Sequence, residues 1–102
     1  MRMMLSVTFP TAKFNEIWRK GEVGPKIQQI LQDIKPEAAY FGKGNGGQRG
    51  VVVIVDVSTA ADIPRFTEPW YLMFEATVEV CHCMSVEDIA KVDYQGLGSK
   101  YA

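Results

Sequence analysis

Cys81-His82-Cys83 sets three metal-ligand residue types side by side, and they are the chain's only two cysteines and only histidine. In an extended strand successive side chains point to opposite faces, so the thiols share one face and the imidazole takes the other. One ion cannot collect all three. No second CxxC or histidine pair completes a tetrahedral set, so no metal site is expected. Two cysteines one residue apart in a strand have Cα atoms ~6.6 Å apart, at the strained limit of a disulfide, which predicts reduced thiols. No neighbouring Lys or Arg is placed to activate them. His82 is the candidate general base near neutral pH. The competing reading makes it a histidine at the edge of the core, satisfied by a backbone carbonyl.

Trp18, Tyr40, Trp70 and Tyr71, joined by Phe9 and Phe66, are many large aromatic residues for 102 positions. Aromatic rings carrying one polar atom can line a cleft between helices and sheet, with Arg49 or Glu68 as a polar anchor. These six, Trp18, Tyr40, Arg49, Glu68, Trp70 and Tyr71, are the candidate ligand-binding residues. The alternative is that each ring fills the core with its polar tip at the rim. The glycine-rich run Gly42–Gly50 is not a phosphate loop. It joins two strands instead of leading into a helix N-terminus, and Lys43 lacks a following Ser or Thr. It reads as a mobile hairpin. Glu75 and Glu79 lie on one strand face ~13 Å apart, too far for a glycosidase pair, and read as solvated or paired across a dimer.

The elements that must hold these residues are built around Arg49–Val57. Its run of β-branched residues has no polar alternation before Asp56, the mark of a central strand buried on both faces. Ahead of it, Met3, Leu5, Val7 and Phe9 alternate with Met4, Ser6 and Thr8 as a half-polar strand ended by Pro10. Thr11 is then the expected cap of a helix that turns Phe14, Ile17 and Trp18 to one side. After Gly21, Gly24-Pro25 restarts a helix with a stripe of Ile27, Ile30, Leu31 and Ile34, stopped at Lys35-Pro36. Ala38–Phe41 is a short strand paired through the hairpin with the central one. Ser58–Asp62 opens a helix carrying Ile63, Phe66 and Trp70 inward, with Pro69 at its expected end. Phe74–Cys83 alternates as the last strand. Ser85-Val86-Glu87-Asp88 starts a helix to about Val92, and Leu97 and Tyr101 are anchors in the tail.

The order β-α-β-β-α-β plus a terminal helix predicts one α+β domain over residues 1–102. It is ferredoxin-like, with a four-stranded antiparallel sheet and both helices on one face. The other face carries Ser6, Thr8, Thr77 and Cys81 with either Val52 and Ile54 or Val51, Val53 and Val55, depending on register. That surface is too apolar for lasting exposure, and a two-fold partner presenting the same sheet would cover it.

The totals narrow the partners. A net charge of −1, with no Lys/Arg cluster, speaks against nucleic acid or an anionic membrane surface. No apolar run approaches the ~20 residues of a membrane span. The apolar patch in Met1–Val7 is too short for a signal peptide, and a cytoplasmic location is expected.

Topology and length resemble the dimeric α/β-barrel superfamily, which holds small antibiotic-biosynthesis-type monooxygenases and muconolactone-isomerase-like enzymes. Lys35-Pro36-Glu37-Ala38-Ala39-Tyr40-Phe41, Glu68-Pro69-Trp70-Tyr71-Leu72 and Met84-Ser85-Val86-Glu87-Asp88 resemble a family of small bacterial domains of unknown function. The resemblance implies the fold and a homodimer through the open sheet face, and transfers no catalytic residue. Nothing matches a haem-ligand histidine or a monooxygenase triad, and no cofactor is expected. The leading expectation is a dimeric α/β-barrel protein that binds a small, partly apolar molecule between helices and sheet. A cofactor-independent monooxygenase- or isomerase-type enzyme using His82, and a dimeric interaction module without ligand, are the alternatives.

Overall fold

The computed structural model describes residues 1–102. Four strands and five helices follow one another as β1 (Arg2–Thr8), α1 (Thr11–Arg19), α2 (Val23–Ile34), β2 (Ala38–Lys43), β3 (Arg49–Asp56), α3 (Ile63–Phe74), β4 (Thr77–His82), α4 (Val86–Ala90) and α5 (Tyr94–Lys100). The strands form one antiparallel sheet in the order β2-β3-β1-β4, an α+β arrangement compatible with the ferredoxin-like fold. β3 and β1 are its inner strands.

Register decides which side chains meet the helices. Met3 pairs with Val55, Leu5 with Val53, and Val7 with Val51. All six are buried, packed with Phe9, Phe14, Ile17, Ile30, Ile34, Phe66, Trp70 and Phe74. The opposite face carries two cross-strand rows, Tyr40–Val52–Ser6–Glu79 and Ala38–Ile54–Met4–Cys81. The half-buried Val52 and Ile54 therefore belong to the open side, which settles the alternative that the β-branched run left open.

Five local readings are corrected. Thr11 is the first residue of α1, not its cap: Pro10 holds that position and no side chain caps the helix. α2 starts at Val23, two residues before Pro25, which still falls in the first turn where a missing N–H costs nothing. α3 runs through Pro69 to Phe74. Ending it at Pro69 would strand Trp70 and Phe74, both at 0% exposure, and burying two such rings outweighs the ~3 kcal/mol of an interior proline. The hairpin loop is a short 3-10 turn, Asn45–Gly47, that folds back over the end of β1. The Asn45 N–H donates to Thr8 Oγ1 (3.1 Å), and Thr8 is buried although it belongs to the open face. Finally, the C-terminal segment forms two helices, not one.

Gly50 marks a tight backbone approach. A Cβ there would sit 2.5 Å from the Val7 carbonyl oxygen and 2.8 Å from Gly44, so only glycine lets the hairpin close against β1.

Candidate functional site

The six candidate ligand-binding residues do not converge on one place. Trp70 is inside the core, its ring 6.1 Å from Phe9 and 6.4 Å from Phe74, and its Nε1–H has no acceptor. Tyr71 is on the outer side of α3, where its hydroxyl donates to the Val78 carbonyl (3.3 Å). Glu68 borders a 400 Å3 groove between α2 and α3 with Gln29, Asp33 and Arg65. Tyr40 stands on the open sheet face at 72% exposure, beside a 220 Å3 hollow under the hairpin.

Trp18 and Arg49 do meet. α1 turns Phe14 and Ile17 into the core and leaves Trp18 at 60% exposure on its flank, a correction to the inward placement its i, i+4 spacing from Phe14 suggested. Arg49 opens β3, where its backbone carbonyl accepts from the Phe9 N–H (2.9 Å). Its guanidinium lies 4.8 Å from the Phe14 ring centre and 5.4 Å from that of Trp18, and one Nη–H donates to Asn15 Oδ1 (2.8 Å). Stacking of this kind favours a desolvated cation.

Arg49 has no carboxylate partner, and neither have its neighbours Arg19 and Lys43. A 170 Å3 concavity lined by Asn15, Trp18, Arg19 and Arg49 opens at this point, and a second hollow, lined by Trp18, Gly21, Val23 and Gly24, adjoins it across the indole. Lys43 is the cross-strand neighbour of Arg49. Two arginines thus line a small hollow without an acidic residue, beside a lysine and an open aromatic face. Such a hollow is complementary to a small anion with an apolar body. It lies where helix meets sheet, at the edge and not in the interior. The interior between them is filled: Phe9 packs at 4.8 Å from Phe14 and 4.9 Å from Phe74, centre to centre.

No protein-family model and no curated protein matches this chain. The site therefore has to be read from its own geometry.

His82 ends β4 opposite Met3 and is exposed, so it is not the covered base beneath the helices that the strand pattern allowed. It lines a 480 Å3 hollow at the end of the sheet with Arg2, Asp56, Cys83 and Asp88. Both thiols are free, and the alternation holds, with Cys81 opposite Met4 on the open face. In this hollow Arg2 donates from Nε to Glu37 (2.8 Å) and from Nη1 to Asp88 (3.4 Å). The Ser85 backbone N–H, reinforced by the Ser85 hydroxyl and by Arg2, holds the Asp88 carboxyl below the usual carboxylate range. These acids are already engaged by Arg2 and by a helix cap. Glu79 is partnered too, accepting from Asn45 Nδ2 at 2.8 Å.

Sequence reasoning missed Asn15, Arg19 and Lys43. A signal was present: Asn15 and Arg19 sit one and five residues after Phe14, on the flank of the apolar stripe nearest Trp18.

Proposed function

We propose that this chain is a homodimer, closed by its open sheet faces, that binds a small apolar carboxylate or similar anion between α1 and the start of β3. The observation that carries the binding reading is Arg49, a guanidinium stacked on Phe14 and Trp18 beside an acid-free hollow and lacking a carboxylate partner. The charge of Arg49 would take the anionic group, Asn15 would fix the guanidinium plane, and Trp18 would cover the apolar body. The two open-face rows, with Tyr40, Val52, Ile54 and Met4, support the dimer.

The chain has two tryptophans, so its two indole N–H resonances report one exposed site and one buried reference. Titration with a panel of carboxylates from hexanoate to benzoate is expected to move the Trp18 signal saturably and leave Trp70 in place. Arg49→Ala is expected to weaken binding at least about ten-fold, the loss of one charge-assisted contact. A panel that leaves Trp18 unmoved at about 10 mM, or one that binds Arg49→Ala equally well, contradicts the reading.

A second reading, an enzyme using His82, is favoured by one observation: the imidazole opens into the same hollow as Cys83, Asp56 and Asp88. Turnover of a quinone-like substrate that is lost in His82→Ala, with carboxylate binding at Trp18 intact, would put this reading first.

A further inference from the structure

All nineteen buried residues lie between Met3 and Ala76. Met84–Ala102 contributes none, yet it is built with care. Ser85 and Asp88 form a reciprocal capping box, with the Asp88 N–H donating to Ser85 Oγ (3.1 Å) and the Ser85 N–H to Asp88 Oδ2 (3.0 Å). Asp93 Oδ1 accepts from the Gly96 N–H (2.9 Å) to start α5. Helices of five and seven residues are well below the ~12–15 residues at which an isolated helix becomes even marginal in water, so they need packing to persist. Their apolar residues fall at packing intervals: Val86 and Ile89 at i, i+3, then Tyr94, Leu97 and Tyr101 at i, i+3, i+7. All five are exposed, Val86 at 81% and Tyr101 at 74%.

The arm also gives the chain its shape. The Cα radius of gyration is 16.8 Å and the longest extent 58 Å, where a compact chain of this length has a radius of about 12.8 Å. The accessible surface is 6810 Å2, roughly 1000 Å2 above the ~5800 Å2 expected of a compact monomer of this mass.

Arg2 touches the start of the arm. It lies on β1 with Met4 and Ser6, and its guanidinium donates to Asp88 of α4 (3.4 Å) at the end of the sheet. Four strands at ~4.8 Å and six residues at ~3.3 Å give the open face a flat footprint of roughly 400 Å2, and the hairpin covers one end of it. The accessible surface beyond that of a compact monomer, roughly 1000 Å2, is of the order that each partner of a stable dimer buries, about 800 Å2.

We infer that Met84–Ala102 is an embracing arm whose Val86, Ile89, Leu97 and Tyr101 seat on a second copy of this chain, across the interface made by the open sheet faces. This rests on the dimer reading. Each chain presents one unpartnered arm and one unpartnered face, and a two-fold axis satisfies both at once.

The test uses the full chain, half of it 15N-labelled, mixed and equilibrated at micromolar concentration, with lysine cross-linking and sedimentation. Lys91 and Lys100 in the arm are expected to give mixed-isotope cross-links to lysines of residues 1–83. Ile89→Glu and Leu97→Glu, both at exposed positions and so harmless to folding, are expected to raise the dimer dissociation constant at least about ten-fold each, as for anchors of an interface. A dimer of unchanged affinity in both variants, with arm cross-links only within one isotope, overturns the arm and leaves the sheet-face dimer standing. A wild-type chain that sediments as a monomer overturns the dimer reading and the arm with it.

Discussion

At the scale of single residues, chemistry and packing compete for the same aromatic side chains, and position along the sheet edge separates them. Trp70 and Trp18 are one residue type with opposite fates. Trp70 is enclosed at 0% exposure with its Nε1–H unpaired, so part of what its ring contributes is cancelled by a desolvated donor. Trp70→Phe loses some volume but removes that donor, and is expected to cost about 1 kcal/mol in urea unfolding. Phe74→Ala, which opens a cavity in the same cluster, is expected to cost ~3–5 kcal/mol. A Trp70→Phe loss of about 3 kcal/mol or more, that of a cavity with no relief, would mean that the Trp70 donor carries no penalty. Composition alone could not sort these rings. The i, i+4 spacing of Phe14 and Trp18 put both inward, but Phe14 and Ile17 already fill the space against β1 and β3. Trp18 is left at the rim with Arg49, and the partnership of those two residues was half legible, as an aromatic set with a nearby cation. Its location was not, because the pairing of β3 with the end of α1 is a tertiary contact.

At the scale of elements, periodicity read well wherever one face is buried within the chain. The two-faced aliphatic run became an inner strand, β1 kept its alternation, and α2 buried Ile30 and Ile34 from its stripe. β4 alternates only from Thr77 to His82: Phe74 closes α3 and Glu75 is its left-handed cap, so Glu75 and Glu79 do not share a strand face. It failed where burial overrides a local breaker, as at Pro69 in α3. It failed again where no intramolecular face exists, as in α5, whose Gly96 and Gly98 look like a loop and whose start is an aspartate cap. The capping box at α4 was legible from Ser85 and Asp88 alone, and it makes that helix pH-dependent. The folded Asp88 carboxyl is held below its unfolded value. Its contribution is therefore fully present above the unfolded value and disappears as pH falls through the folded one. As pH falls through the acidic range the Ser85 and Ile89 amide signals are expected to drift toward coil positions. In Asp88→Ala the same signals should be shifted already at neutral pH and insensitive to acid. Amides that titrate equally in both proteins would remove Asp88 as the cause.

At the scale of the whole molecule, the chain presents two unfinished surfaces, an open sheet face with Tyr40, Val52, Ile54 and Met4, and an arm that touches almost nothing of its own body. No helix is long and apolar enough to cross a membrane. The open face was visible in the sequence as strands whose polar side was not polar enough. The arm was not, since its sequence says only that one capped helix starts at Ser85 and runs into a tail, and the extended shape appears once the chain is folded. Both surfaces make the same demand, and the proposed association of two chains would meet it. Sedimentation velocity on the 102-residue chain, beside Ile54→Glu, tests this most directly. The account predicts twice the mass of one chain for the wild type at micromolar concentration and a single chain for Ile54→Glu, because a carboxylate at the centre of stacked sheets would be buried without a partner. A wild-type protein that still sediments as a single chain at about 100 μM, an affinity no better than ~5 kcal/mol, would contradict it.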